Sequence, residues 1–162
     1  VLLSALLAIQ RSASLDSADG TGTSLRMSGL SPVARYLGRT AAVFVQLLAL
    51  EALLVGGLVV LYGVSVEEWF LLVVAGVVAG VAVAAAGTLY GALASGLRAR
   101  ETLLPILVLP VLAPVLIGAT RAYDDALGVA AVDGWAWTGL LAVAALVLTV
   151  VGASAHGALV ED

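Results

Sequence analysis

The arginines of this chain fall almost entirely on one side of an alternating series of apolar segments. The segments are 41–61, 69–93, 102–120 and 137–160. Six of the seven basic residues precede the first segment or separate the second from the third: Arg11, Arg26, Arg35, Arg39, Arg98 and Arg100. The other two connections carry mainly acidic residues. This is the positive-inside pattern of a polytopic membrane protein, and it predicts that the arginine-bearing connections face the cytoplasm.

The composition supports a membrane protein. Apolar residues make up 62% of the 162 residues and charged residues 11%, whereas soluble domains run at roughly 45–50% and 25%. At ~1.5 Å per residue, a helix over segment 41–61 reaches about 31 Å, close to the thickness of the bilayer hydrocarbon. Strand-like alternation is absent, and helices satisfy their own backbone groups in lipid. We therefore predict an all-α, single-domain transmembrane bundle over residues 1–162.

The N-terminal part predicts a partial helix followed by a loop. The apolar run over residues 1–10 is too short to span, so we expect it to be the inner end of a helix whose beginning is missing. The bundle would then have four full spans plus the end of a fifth. Residues 11–39 are predicted to form a cytoplasmic loop, and Ser31-Pro32 suits a helix start, with Ser31 as cap and Pro32 in the first turn.

Two segments carry features that bear on helix shape and packing. Segment 102–120 contains Pro105, Pro110 and Pro114, each of which removes a backbone donor, so this is the best candidate for a bent or broken helix. Segment 69–93 contains small pairs at i,i+4 spacing, Gly76/Gly80 and Gly87/Gly91. Such pairs favour close helix packing, although an alanine-rich composition bias would also produce them.

Glu51 is the most unusual residue of the apolar segments, because a charged side chain at mid-bilayer costs ~3 kcal/mol on insertion scales. Such a residue usually faces the bundle interior or water. It could belong to a proton relay or a substrate path. Equally, it could be protonated or hydrogen-bonded across helices. The residues alone leave these alternatives open.

The chain offers little for catalysis. Lysine is absent, which excludes a P-loop nucleotide site, so any ATP hydrolysis must come from a separate subunit. Cysteine is absent, which excludes disulfides and thiolate chemistry. The single histidine, His156, is more typical of a hydrogen bond to a neighbouring helix than of a haem ligand. With no nucleophile–base pair, no metal-ligand spacing and no basic patch, we expect a non-enzyme with no directly bound cofactor and no nucleic-acid partner.

Three motifs resemble one known family. TLLPILVLPVLAPVLIGAT at 102–120 precedes an acidic loop ending in Val132-Asp133-Gly134-Trp135. Leu30-Ser31-Pro32-Val33 precedes Tyr36-Leu37-Gly38-Arg39, and ALLAIQR stands at 5–11. Together they resemble the CcmB family, the permease subunit of the cytochrome c maturation ABC transporter, over essentially the whole chain.

The resemblance implies an ABC-2 exporter type of bundle, multi-pass in the cell membrane, working as a homodimer of the permease. It implies a CcmA-like ATPase subunit, CcmC-like and CcmD-like membrane proteins and a CcmE-like haem chaperone as partners, with haem as a candidate transported substrate. The inner loop would dock on the ATPase through Leu25, Arg26, Met27, Leu30, Ser31 and Pro32. Glu51, Pro105, Pro110 and Pro114 are the candidates for a substrate path or for helix gating.

Three other functions remain open from the sequence. The first is another ABC-2-type permease that shares only the architecture and exports a lipid, drug or polysaccharide. The second is an ion-coupled secondary transporter centred on Glu51. The third is an assembly scaffold that transports nothing.

Overall fold

The structure, a computed structural model, consists of four helices in its described part. It describes residues 32–94 and 100–158, with side chains described for residues 33–92 and 108–155. The helices are α1 (Pro32–Tyr62), α2 (Trp69–Ala94), α3 (Arg100–Ala126) and α4 (Gly134–Ala158). No strand occurs within these two ranges, which confirms the all-α prediction for them. We call the helix ends predicted to face the cytoplasm the inner ends and the opposite ends the outer ends.

Three of the four helices are long and apolar enough to cross a membrane, over Val33–Tyr62, Trp69–Ala92 and Gly134–Ala155. Helix α3 is not among them. The stretch of α3 with described side chains begins at residue 108 and includes Arg121, Asp124 and Asp125 towards its outer end. The chain is thus an integral membrane protein, and the crossing of the membrane by α3 stays a prediction.

Helix α1 begins at Pro32, the position that Ser31-Pro32 predicts. The predicted loop 11–39 is therefore too long at its C-terminal end, because residues 32–39 are helical. With 31 residues, α1 is longer than a bilayer's hydrocarbon core requires, since about 20 residues suffice to span it. The first turns of α1, which carry Arg35 and Arg39, therefore extend beyond the apolar part of the helix at its inner end.

The outer connection between the predicted segments 102–120 and 137–160 is likewise shorter than expected. Helix α3 continues to Ala126 and α4 starts at Gly134, which leaves residues 127–133 as the connection. The start of α4 is stabilised by Asp133, whose Oδ1 accepts a hydrogen bond from the amide of Ala136 at 3.0 Å. This is the arrangement of an N-cap residue, which satisfies an otherwise unpaired donor of the first turn.

Helix α2 is the centre of the bundle. Of its most apolar window, 61% is buried, against 11% for α1 and 22% for α4. Three alanines at every second position of α2 pack against different neighbours: Ala84 against Val43 and Leu47 of α1, Ala86 against Val108 and Leu112 of α3, and Ala82 against Val115 of α3 and Leu141 of α4. Alanine allows three helices to approach one because it adds little bulk on any side.

The prolines do not interrupt α3. The helix runs without a break from Arg100 to Ala126, so of the two predicted forms, bent or broken, the broken one is wrong and the bent one stays a prediction. Pro110 and Pro114 are exposed, whereas Val108, Leu112 and Val115 are buried against the bundle. The prolines with described side chains therefore lie outside the packed face, and the contacts of that face hold the helix together across them.

Candidate functional site

Glu51 makes a polar contact that joins three helices. The hydroxyl of Tyr123 on α3 donates a hydrogen bond to Oε1 of Glu51 on α1. The same carboxyl group lies against α2, where a Cβ atom added at Gly76 would stand 2.8 Å from Glu51 Oε1. Glycine at position 76 therefore provides the space that the carboxyl group occupies. The structure contains the hydrogen bond across helices that was one of the alternatives for Glu51.

The glycine pair Gly76/Gly80 faces α1, as the packing interpretation predicts. A Cβ at Gly80 would stand 3.2 Å from the ring of Phe44, and a Cβ at Gly76 would meet Glu51. Larger side chains at either position would push α1 away from α2. The second pair, Gly87 and Gly91, is buried.

The depth of Glu51 differs from the position that its own helix suggests. It lies midway along segment 41–61, but in the structure it is level with Gly76 of α2. Gly76 follows the first residue of α2, Trp69, by seven positions, which is ~10 Å along a helix. Tyr123 is three positions from the outer end of α3. The contact therefore lies in the outer half of the bundle.

A groove of about 400 Å³ runs along α1 and α2 beside this contact. Among its lining residues Glu51 is the only ionisable one, and the others are apolar or aromatic, including Val55, Val59, Trp69 and Val73. Val60 and Val73, which also line the groove, are among the exposed large side chains of the bundle. The groove is therefore open on the side of α1 and α2 that faces away from the core.

The outer connections are packed onto one another at the end of the bundle. The amides of Glu67 and Glu68 both donate to the carbonyl oxygen of Ala126, at 3.0 Å each. The indole of Trp135 donates to Glu68 Oε1 at 3.1 Å, and its ring lies 5.6 Å from that of Phe70. Exposed aromatic side chains at the outer helix ends are typical of membrane–water interfaces.

Tyr36 is a buried contact that the sequence interpretation missed. It is fully buried, and its hydroxyl donates to the carbonyl oxygen of Ala85 on α2 at 3.1 Å. The ring also lies directly against Gly152 of α4, which has no room for a Cβ. Tyr36 therefore joins α1, α2 and α4 near their inner ends. The available signal was a tyrosine at the start of a span, whose hydroxyl needs a partner when buried.

Tyr123 was missed as well, because it stands among Arg121, Asp124 and Asp125 in a stretch that reads as a polar outer loop. Only the continuation of α3 to Ala126 brings its hydroxyl back towards the bundle.

The structure brings together only part of the predicted site. Glu51 contacts Tyr123, whereas Pro110 and Pro114 are exposed on α3, and no contact between these prolines and Glu51 is described. Pro32 starts α1 and Pro105 lies in α3, but their side chains are outside the described set. The remaining predicted coupling residues lie outside the described residues: Leu25, Arg26, Met27, Leu30 and Ser31. The side chain of His156 is also outside them.

Hydroxyl groups on the helices are mostly satisfied within their own helix. Thr88, Thr120, Thr138 and Thr149 each donate to the carbonyl four residues earlier, at 2.7–2.8 Å. Such bonds let polar side chains sit in apolar surroundings. Within residues 32–94 and 100–158, no group of three or more His, Asp or Glu side chains could hold a metal ion.

The fold and the site define an integral membrane helix bundle whose described polar side chains are used mainly for contacts within and between helices. The chain belongs to the CcmB family, matching the family described as CcmB protein over residues 1–161. No curated protein and no solved structure matches the chain. Members of this family are non-catalytic permease subunits of the CcmAB ABC transporter of cytochrome c biogenesis, and the ATPase is the partner CcmA. The resemblance, the permease role and the CcmA partner predicted from the motifs are therefore confirmed.

Proposed function

We propose that this permease transmits ATP-driven movement from CcmA to the outer half of the membrane, and that the movement exports haem or releases a haem-loaded CcmE-like chaperone. The subunit would act as a homodimer of the ABC-2 exporter type in the cell membrane, with CcmC-like and CcmD-like proteins beside it. The observation that carries the proposal is the continuity of α1. One unbroken helix joins the end of the arginine-bearing loop at Pro32 to the Glu51 contact.

The packing of α1 supports a moving part. Only 11% of its apolar window is buried, so few contacts within the subunit oppose a change in its tilt. Glu51 lies 19 residues after Pro32, or ~28 Å along the helix. A push on the inner end would therefore be carried as a rigid-body motion to Glu51 and, through Tyr123, to the outer end of α3.

The small number of side chains that could coordinate haem iron favours chaperone release, or transient passage of haem, over tight haem binding by this subunit. Haem iron is usually held by His, Met, Cys or Tyr. This sequence has one histidine, His156, one methionine, Met27, four tyrosines and no cysteine. Two of the tyrosines, Tyr36 and Tyr123, already donate hydrogen bonds to other helices. We therefore treat haem as cargo of the complex and assign no resident haem ligand to this subunit.

The docking step can be tested by co-purification with the cognate CcmA. We expect Leu25→Asp/Leu30→Asp to reduce recovery of CcmA at least tenfold, because charges would replace the apolar contacts of the inner loop. Ser12→Asp/Ser17→Asp adds the same charge to the same loop and should retain CcmA. Equal recovery with both variants would contradict docking through Leu25 and Leu30.

The two forms of the proposal differ in what accumulates when coupling is lost. If the complex releases the loaded chaperone, haem-bound CcmE should accumulate in cells that carry the Leu25→Asp/Leu30→Asp variant. If it exports the haem that loads CcmE, the chaperone should stay without haem. Covalently bound haem on CcmE, measured by haem staining of membrane fractions, separates the two.

A further inference from the structure

The groove between α1 and α2 has the properties of a ligand site that the transport proposal does not use. Its volume of about 400 Å³ lies within the ~300–1,000 Å³ range typical of small-molecule pockets. The wall is apolar, with Val55, Val59 and Val73 along it and Trp69 at the outer end of α2. Such a wall suits a hydrophobic molecule that enters sideways from the membrane.

One carboxyl group interrupts this apolar wall. Glu51 lines the groove and is the only ionisable residue that does so. A carboxylate has two oxygens with about four acceptor positions, and Tyr123 donates to Oε1. Acceptor positions on Glu51 are thus left over beside the groove. Charge-assisted hydrogen bonds and ion pairs strengthen where water is excluded.

We propose that the groove binds a hydrophobic cation, with the apolar body between α1 and α2 and the positive group at Glu51. The proposal does not rest on the transport mechanism, because it concerns equilibrium binding to the outer half of α1 and α2. Charge complementarity selects this ligand class. An anion of the same shape is repelled by Glu51, and an uncharged acyl chain gains nothing from it.

The experiment is equilibrium binding of radiolabelled tetraphenylphosphonium to the permease–CcmA complex in nanodiscs of zwitterionic lipid, without ATP. Protein-free nanodiscs report partitioning into lipid, and tetraphenylborate serves as the anion of nearly the same shape. We expect saturable binding of the cation above the lipid background and none of the anion.

Glu51→Gln tests the charge separately from the fold. The amide oxygen of Gln can still accept the hydrogen bond from Tyr123, so the contact between α1 and α3 is kept while the charge is lost. We expect the affinity for tetraphenylphosphonium to fall at least tenfold. Tyr123→Phe, which keeps the carboxyl group, should retain binding.

Two neighbouring glycines test the location. A Cβ at Gly56 or at Gly57 would meet no atom within 4 Å, so a side chain can leave the backbone at both positions without a clash at its first carbon. Gly56 lines the groove, whereas Gly57 is not among its lining residues. Gly56→Phe should therefore abolish saturable binding and Gly57→Phe should leave it unchanged.

Several results would overturn the proposal. Unchanged binding in Glu51→Gln would show that the charge plays no part. Equal loss in Gly56→Phe and Gly57→Phe would place the site elsewhere. Saturable binding of the anion as strong as that of the cation would indicate a groove that merely holds apolar molecules such as acyl chains. Cytochrome c maturation is measured separately, so failure of this proposal leaves the transport proposal standing.

Discussion

At the scale of single residues, the contact between Glu51 and Tyr123 joins groups 72 positions apart in the chain. Tyr123→Phe removes the donor and leaves a carboxyl group beside an apolar groove. We expect the unfolding free energy to fall by about 0.5–2 kcal/mol, the range found for hydrogen bonds between membrane helices. Unfolding in mixed micelles, followed by circular dichroism, measures this change.

Tyr62→Phe is the matched control, because Tyr62 is 78% exposed at the outer end of α1. It should change stability by less than about 0.5 kcal/mol. A Tyr123→Phe variant as stable as this control would mean that the hydrogen bond contributes nothing to the fold.

A second prediction at this scale concerns close packing at Tyr36. A Cβ at Gly152 would collide with the Tyr36 ring and hydroxyl, so Gly152→Ala must displace a fully buried side chain that bonds to Ala85. We expect a loss of about 1–3 kcal/mol, the usual cost of overpacking. The same micelle unfolding assay applies.

Gly139→Ala on the same helix separates the collision from the intrinsic preference for alanine. A Cβ at Gly139 meets nothing within 4 Å, and alanine is the better helix former by up to about 1 kcal/mol. Gly139→Ala should therefore be neutral or stabilising. Similar behaviour of the two variants would refute the packing assigned to Gly152.

At the scale of elements, α3 is a continuous helix although it contains three prolines. Pro110→Ala/Pro114→Ala restores two backbone donors on an exposed face, so we expect a more stable helix. If α3 must bend during the transport cycle, the same variant should lower cytochrome c maturation several-fold. Thermal unfolding and covalent haem on a reporter cytochrome c measure the two effects.

Ile117→Ala is the control for this pair, because it changes an exposed α3 position while leaving all backbone donors in place. It should leave maturation near the wild-type level. Wild-type levels of cytochrome c maturation in the Pro110→Ala/Pro114→Ala variant would show that these two prolines have no part in helix gating.

At the scale of the whole molecule, the arginine pattern predicts one orientation. Residues 63–68 and 127–133 should lie outside the cytoplasm, and the connection that contains Arg98 inside it. Alkaline phosphatase fused after residue 65 or 130 should be active, and green fluorescent protein fused after residue 98 should fluoresce. Inactive phosphatase at residues 65 and 130, together with no fluorescence at residue 98, would show that the bundle has the opposite orientation. Glu51 would then lie in the cytoplasmic half of the membrane.

Hydropathy predicted the four helices of the described residues and the membrane class, because these are properties of local composition read along one dimension. The same holds for the start of α1 at Pro32 and for the Gly76/Gly80 packing face. The family motifs stand in contiguous stretches, so they were also readable without a fold. The orientation that the arginines indicate stays a prediction. What the residues could not decide was the partner of Glu51, since a proton relay, a substrate path and a hydrogen bond across helices each place a different group opposite it.

The tertiary structure decided those partners. Tyr123 reaches Glu51 because α3 continues beyond its predicted end, and Tyr36 reaches Ala85 and Gly152 because three helices converge on one side chain. The prolines of α3 are accommodated because its buried face is held by α2. Each of these contacts depends on which helix faces pack together and on how far each helix is shifted along its axis relative to its neighbours. Apolar side chains set that choice only weakly in lipid, since lipid tails are as apolar as the side chains themselves. The sequence therefore determined the membrane class and the positions of the apolar segments, while close packing and a few hydrogen bonds determined how the helices meet.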